Sequence, residues 1–363
     1  MIKVPDRIHN LKPYVAGKTI AEVKKEFNVN RISKLASNEN RLGCSPVVKE
    51  AIFEAIKQIQ DYPDPVSRDL RAEISRRNSV DESEVIVAAG SESILSILCR
   101  SLTDPDSNII TANATFVGIY VQAGVIGCTV KRVPVTKEFG FDSEKMLEAI
   151  DEKTRMVYLA NPNNPTGTYM DKAEYNSFVE RVPQHVLIVA DEAYFEYAKD
   201  VDDYPSALDY RKENVIVTRT FSKGYGLAGF RIGYAIADSA LIEQLMKCKL
   251  TFEPTTLAQA AALAAIRDEK FLDKSVKLVE NEREKLYRFF QSNQTEFVKS
   301  ISNSVMIVFE NEEESINFTR QMLENGVILR RLSAFGLPNC VRITIGTARE
   351  MDHFKEIYLR IRR

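Results

Sequence analysis

Four short loops rich in polar residues and glycine each follow directly on an apolar, β-branched run, and this recurrence constrains the fold most. The runs at residues 85–88, 108–112, 156–160, 186–190, 215–219 and 231–237 read as strands, and amphipathic stretches at 91–102 and 172–182 lie between them. Alternation of this kind predicts an α/β fold with a mostly parallel central sheet flanked by helices on both faces. Such sheets take their ligands beyond the carboxyl ends of the strands. Gly90-Ser91-Glu92-Ser93, Asn161-Pro-Asn-Asn-Pro-Thr-Gly167, Asp191-Glu-Ala-Tyr194 and Thr220-Phe-Ser-Lys223 all follow strands, so four loops converge on one rim.

At 363 residues the chain exceeds what one core usually supports. From about Phe271 the pattern changes to a long charged amphipathic helix, ending near Gln291, then strands near 305–309 and 341–345 among further helices. The expected division is an N-terminal arm (1–30), a large α/β domain (31–268) and a smaller C-terminal α+β domain (269–363), which the N-terminal segment is placed to join. The stretch 5–17 reads as an irregular arm crossing a surface.

Lys and Arg total 49 against 51 Asp and Glu, with no basic block, so nucleic acid is not an expected partner. No apolar signal core follows Met1, and the apolar runs are too short to span a bilayer, so no membrane partner and a cytoplasmic location are expected. The five cysteines (Cys44, Cys99, Cys128, Cys248, Cys340) and three histidines (His9, His185, His353) are scattered without metal-ligand spacing. Reduced thiols, no metal site and no serine-hydrolase triad follow.

The small residues at 90–93, between strand and helix, fit a helix cap or an anion site built from backbone N–H groups. The prolines and glycine of 161–167 fix a turn from which Asn164 can offer its amide. Asp191 ends an apolar run, and a carboxylate drawn into such surroundings needs a cationic or proton-donating partner. A protonated pyridine nitrogen, a metal ion or an arginine would each serve, and Tyr194 could donate to a phenolic oxygen nearby. The segment Thr220-Phe-Ser-Lys-Gly-Tyr-Gly-Leu-Ala-Gly-Phe-Arg231 is the most telling. A lysine after a strand, in a glycine-rich turn, suits a Schiff-base amine, and Arg231 could clamp a phosphate bidentately. A flexible loop with solvated charges is the plainer alternative, and a P-loop is excluded because its signature is absent.

Together Asn-Pro-Thr-Gly, Asp-Glu-Ala-Tyr and Phe-Ser-Lys-x-Tyr-Gly-Leu-Ala-Gly-x-Arg resemble the fold type I aminotransferases. The chain is most similar to their histidinol-phosphate aminotransferase group, with further matches at Asn38-Glu39-Asn40, Tyr62-Pro-Asp-Pro and Val-Arg342-Ile-Thr-Ile-Gly-Thr. The resemblance implies an aspartate-aminotransferase-like fold and pyridoxal 5'-phosphate as cofactor. It implies a Schiff base on Lys223, which also shuttles the proton, and Asp191 paired with the pyridinium nitrogen. Asn164 and Tyr194 fall at positions that bind the ring's phenolic oxygen, and Phe116 at the position that stacks on the ring. Ser91, Glu92, Ser222 and Arg231 fall at the phosphate, which Tyr62 of a second subunit also reaches. That makes a homodimer with shared active sites the expected assembly. Tyr14, Asn38, Arg330 and Arg342 fall around the substrate, with Arg342 holding its carboxylate or, with Tyr14 and Arg330, its phosphate.

The implied reaction is transamination between histidinol phosphate and 2-oxoglutarate, a step of histidine biosynthesis. An aromatic or neutral amino-acid aminotransferase and a threonine-phosphate-type decarboxylase share these motifs, and fold does not separate them. A regulator of this family would carry an added DNA-binding segment, and an inactive homologue would be expected to lose Lys223 or Asp191. Three departures bear on substrate: Arg41-Leu42-Gly43 follows Asn40 where proline and then an aromatic or aliphatic residue are usual, Phe116 stands where tyrosine is common, and Glu253 lies in a segment that often reads Arg-Pro-Pro-aromatic-Asn. A substrate-facing Glu253 would disfavour an anionic ligand, while Arg330 and Arg331 favour one or are exposed strand-end charges.

Overall fold

A strand buried on both faces must be apolar at nearly every position, and the central runs of this chain meet that demand. A computed structural model describes residues 2–11 and 17–362. Seven strands form one sheet: β1 (Val85–Ala88), β2 (Asn108–Ala112), β3 (Thr129–Val133), β4 (Thr154–Ala160), β5 (Leu187–Asp191), β6 (Val215–Thr220) and β7 (Gly233–Ile236). Their order is β1-β7-β6-β5-β4-β2-β3, and β7 alone runs antiparallel to its neighbours.

Alternate residues feed opposite faces. Ile86, Ile109, Tyr158 and Ile216 meet helices Ser91–Leu102, Gly118–Ile126 and Ser239–Cys248. Ile110, Val157, Ile188 and Val217 meet Ser143–Glu148 and Lys172–Arg181 on the other face. The mostly parallel sheet covered on both faces is therefore as expected, with two differences. Strand β3, Thr-Val-Lys-Arg-Val, lies at the sheet edge, where only Val133 is buried, so its sequence carries no apolar run. The 231–237 run is shorter and reverses direction.

The C-terminal part opens with helix Glu269–Ser292. It continues into an antiparallel sheet of β8 (Phe297–Val298), β9 (Ser304–Val308), β10 (Arg330–Leu332) and β11 (Leu337–Thr344), ordered β10-β11-β9-β8. Helices Glu312–Glu324 and Ala348–Ile361 complete it. The N-terminal segment does join this part. Thr19 and Glu22 form a capping box that starts helix Ile20–Phe27, Val23 packs with Ala36 and Ile328, and Ser33–Lys34 pairs in parallel with Val327–Ile328. Within the expected irregular arm, Asp6–His9 forms a helical turn, and Arg7 Nε donates to the Val125 carbonyl at 3.2 Å.

Candidate active site

The loops after β1, β4, β5 and β6 close around a cavity of about 270 Å³, at the small end of small-molecule sites. Ser91, Glu92, Phe116, Asn164, Asp191, Tyr194, Ser222, Lys223 and Arg231 all line it. Nine of the ten positions expected at the cofactor thus share one wall. The tenth, Tyr62, lies elsewhere: it is 79% exposed and stacks on Phe252 at 4.2 Å.

At one end the cavity is lined by Ser91 and Glu92, the first residues of helix Ser91–Leu102, a position that suits an anion. Two glycines make this end compact. A Cβ on Gly90, whose φ is +91°, would come within 3.0 Å of Arg231 Nη2, and one on Gly233 within 2.7 Å of the Ser91 nitrogen. Arg231 and the helix start are thereby drawn onto one point, beside Ser222. The alternative of a Ser91 cap does not hold: Gly90 is the N-cap and no side chain caps the helix, so the first N–H groups stay available.

Asp191 sits at the cavity floor, 3% exposed. Tyr158 donates to its Oδ2 at 2.6 Å and the Ala193 N–H to its Oδ1 at 3.1 Å. Burial raises its pKa, opposed by those hydrogen bonds. The arginine considered as its partner belongs to the next residue: Arg219 pairs with Glu192 at 2.7 Å, both almost wholly buried. Tyr158 was not anticipated, because within an apolar strand it reads as core. The register offered the signal: Ala160 faces Asp191, so Tyr158 is its diagonal neighbour on the same face.

Asn164 and Tyr194 are fixed as donors. Arg342 Nη1 donates to Asn164 Oδ1, and arginine has only donors, so the Asn164 Nδ2 is turned away from it. Asn38 Nδ2 donates to the Tyr194 oxygen at 2.9 Å, which leaves the phenol's own proton to give. Asn38, expected at the substrate, is 1% exposed and does not line the cavity; Tyr194, Ser304 and Thr344 occupy its side chain. It is a positioning residue for Tyr194.

Lys223 projects into the cavity with Nζ 3.5 Å from the Ser37 carbonyl. Its pKa is held down to about 8, first by burial and then by Arg342 and Arg231, against the pull of Glu39 and Asp191. Arg342 also donates to the Ala36 carbonyl at 2.8 Å, and Arg330 stands directly opposite it across β10 and β11. Neither arginine, both expected at the substrate, lines this cavity, and Arg330 lies with Arg331 along a separate surface groove. Arg331 faces away, bound to Glu312 at 2.7 Å. Tyr14 lies outside the described residues.

Of the substrate-side departures, Arg41 pairs with Glu350 at 2.7 Å. Glu253 accepts from the Ser93 hydroxyl at 2.9 Å and does not line this cavity.

These residues fit pyridoxal phosphate. The compact N–H and guanidinium cup suits its phosphate, the buried carboxylate, without an arginine partner among the described residues, suits its ring nitrogen, and the two donors suit its phenolic oxygen. The chain matches the aminotransferase class I and II family over residues 30–357. It belongs to that family. Similar relatives are the histidinol-phosphate aminotransferases of Bacillus velezensis, 39% identical over 99% of this chain and 100% of that one, and of a Geobacillus species, 40% identical over 97% and 96%. A crystal structure of the Sinorhizobium meliloti histidinol-phosphate aminotransferase with pyridoxal 5'-phosphate superposes with a TM-score of 0.90, at 25% identity and 99% coverage of both chains. An aspartate-aminotransferase-like fold is established by the same comparison and by Thermus thermophilus aspartate aminotransferase, TM-score 0.84.

Proposed function

We propose that this aminotransferase uses pyridoxal 5'-phosphate to move the amino group of histidinol phosphate to 2-oxoglutarate, a step in making histidine. The observation that carries this reading is the meeting of Lys223, Asp191 and the anion cup in one cavity, with Arg342 bound to Asn164 on its wall. The full-length likeness to histidinol-phosphate aminotransferases supports the substrate.

When bound, the cofactor supplies an electron-withdrawing ring that accepts the negative charge left as the substrate Cα loses its proton. The chain's own residues do the rest. Ser91 and Glu92 N–H groups, Ser222 and Arg231 hold the phosphate. Asp191 would hold a proton on the cofactor's ring nitrogen, and charge fixed in place before it is needed is worth several kcal/mol, about 1.4 per tenfold in rate. Asn164 and Tyr194 donate to the phenolic oxygen, and Phe116 shields one face from water. Lys223 Nζ, its pKa lowered, is the base that would accept the proton leaving the substrate Cα. Arg342, with Arg330 and Tyr14, holds the substrate's anionic group.

The assembly belongs to the same proposal: a homodimer in which Tyr62 reaches the partner's phosphate. The exposed Phe252 stacked on Tyr62, and the exposed apolar Phe53, Ile56, Ile59 and Leu250 close to the two in sequence, support it. The division into 1–30, 31–268 and 269–363 is proposed with it, residues 20–36 packing on the last part. Five free cysteines suit a cytoplasmic location, and no helix among the described residues is long and apolar enough to cross a membrane.

The test is a donor screen on the cofactor-loaded protein with histidinol phosphate, phenylalanine, tyrosine and glutamate. Histidinol phosphate should bleach the cofactor's visible absorbance fastest, and 2-oxoglutarate should restore it. Faster bleaching by phenylalanine or tyrosine would make this an aromatic aminotransferase, and release of carbon dioxide a decarboxylase.

A further inference from the structure

Three carboxylates line the cavity among the described residues: Asp191, Glu92 and Glu39. Asp191 is occupied by Tyr158 and the Ala193 N–H. Glu92 contributes its backbone N–H, and its side chain is exposed. Glu39 has no such role, and its two oxygens differ. Lys34 Nζ donates to Oε1 at 2.7 Å. Oε2 is shielded from solvent and accepts no hydrogen bond among the described residues. The nearest guanidinium, Arg41, is 4.0 Å away and is held by Glu350 through both Nε and Nη2.

A shielded carboxylate oxygen left without a donor is costly, and native structures seldom tolerate it without reason. Nor can Glu39 easily retreat. Its lysine partner lies on the short strand paired with Val327–Ile328. Asn38 before it is locked by Tyr194 and Thr344. Asn40 after it donates to the Gly224 carbonyl at 2.9 Å and to Ser275 at 2.6 Å. The main chain is thus pinned on both sides, while the terminal carboxylate torsion is soft enough to turn Oε2 toward a ligand in the cavity. Such a mount suits recognition better than it suits packing.

Resting on the reading that the donor is histidinol phosphate, we propose that Glu39 reads the substrate's side chain, accepting at Oε2 a hydrogen bond from a ring N–H. The arginines grip the anionic end and Lys223 the amine-bearing carbon, so neither tells an imidazole from a phenyl ring of similar breadth. Glu39 does. A hydrocarbon ring leaves Oε2 unsatisfied, and a buried acceptor left unpaired is the strongest means a site has of rejecting an analogue. The added negative charge also favours the imidazolium form of the substrate.

The experiment uses the cofactor-loaded protein and two amines, histidinol phosphate and 2-amino-3-phenylpropyl phosphate, in which phenyl replaces imidazole. Wild type should prefer the imidazole compound in kcat/KM by at least about 100-fold. In Glu39→Leu that preference should collapse to within a few-fold of parity, and Glu39→Gln should fall between. Lys34→Met, which breaks the ion pair but keeps the carboxylate, should retain most of the discrimination. Near-parity in wild type, or an unchanged ratio in both Glu39 variants, overturns the inference. Should Glu39→Leu fail to fold, the wild-type comparison and Glu39→Gln decide alone. Wild type that turns over neither compound defeats the histidinol-phosphate reading itself, a result distinct from turnover without discrimination.

Discussion

Lys223 stands where burial and two arginines push its amine one way and two carboxylates push it the other. The net effect holds its pKa near 8, against 10.5 for an ordinary lysine. Capture of pyridoxal phosphate needs the neutral amine, so a lowered pKa means the reactive form is reached at lower pH. The rate at which apoprotein binds the cofactor should rise from neutrality and level off above about pH 8. A rate that keeps climbing through pH 10 would contradict the burial argument. Lys223→Ala should abolish turnover and remove the visible absorbance of the loaded protein; retained transamination would defeat the assignment. Asp191→Asn should still bind the cofactor yet lose about 100- to 1,000-fold in kcat, measured in single turnovers, because fixed charge at a reacting centre is typically worth that much.

At the scale of elements, the site depends on how closely β7 approaches the start of helix Ser91–Leu102. Gly233→Ala would set a Cβ 2.7 Å from the Ser91 nitrogen and 2.9 Å from the Arg219 carbonyl, both backbone atoms that cannot swing aside. The helix start must move, so cofactor affinity should drop by tenfold or more in a fluorescence titration, a modest estimate for lost charge-assisted bonds. The same elements explain what could be read beforehand. Strands buried on both faces, such as β5, are continuous apolar runs, and a charged residue ending one stands out, which is why Asp191 and Lys223 were legible. Edge strand β3 mixes Lys131 and Arg132 with valines and gives no such contrast. Tyr158 was hidden for the opposite reason, a polar group whose ring looks like core. An arginine, one of the partners considered for Asp191, is instead paired with Glu192, because consecutive residues leave a strand on opposite sides. Breaking that neighbouring pair with Arg219→Leu should cost about 3–5 kcal/mol in denaturant unfolding, since it strands a buried carboxylate.

For the whole molecule, Tyr62 is the expected cofactor residue that its own cavity does not contain. It lies outside its own cavity, stacked on Phe252 amid exposed apolar side chains. If it serves the partner's phosphate, inactive Lys223→Ala and impaired Tyr62→Ala chains should rescue each other when mixed. One site of each hybrid dimer then combines an intact lysine from one chain with an intact tyrosine from the other. No recovery on mixing would confine Tyr62 to its own subunit.

Arg342 grips Asn164 with one arm of its guanidinium and the Ala36 carbonyl with the other. A group expected to seize the incoming donor therefore also fixes the amide that faces the ring. Attempts to retarget the enzyme by altering this arginine would disturb reactivity along with preference. Laboratory evolution toward new amines should therefore leave Arg342 alone and accumulate its changes on the opposite wall, where selectivity can drift without harming turnover.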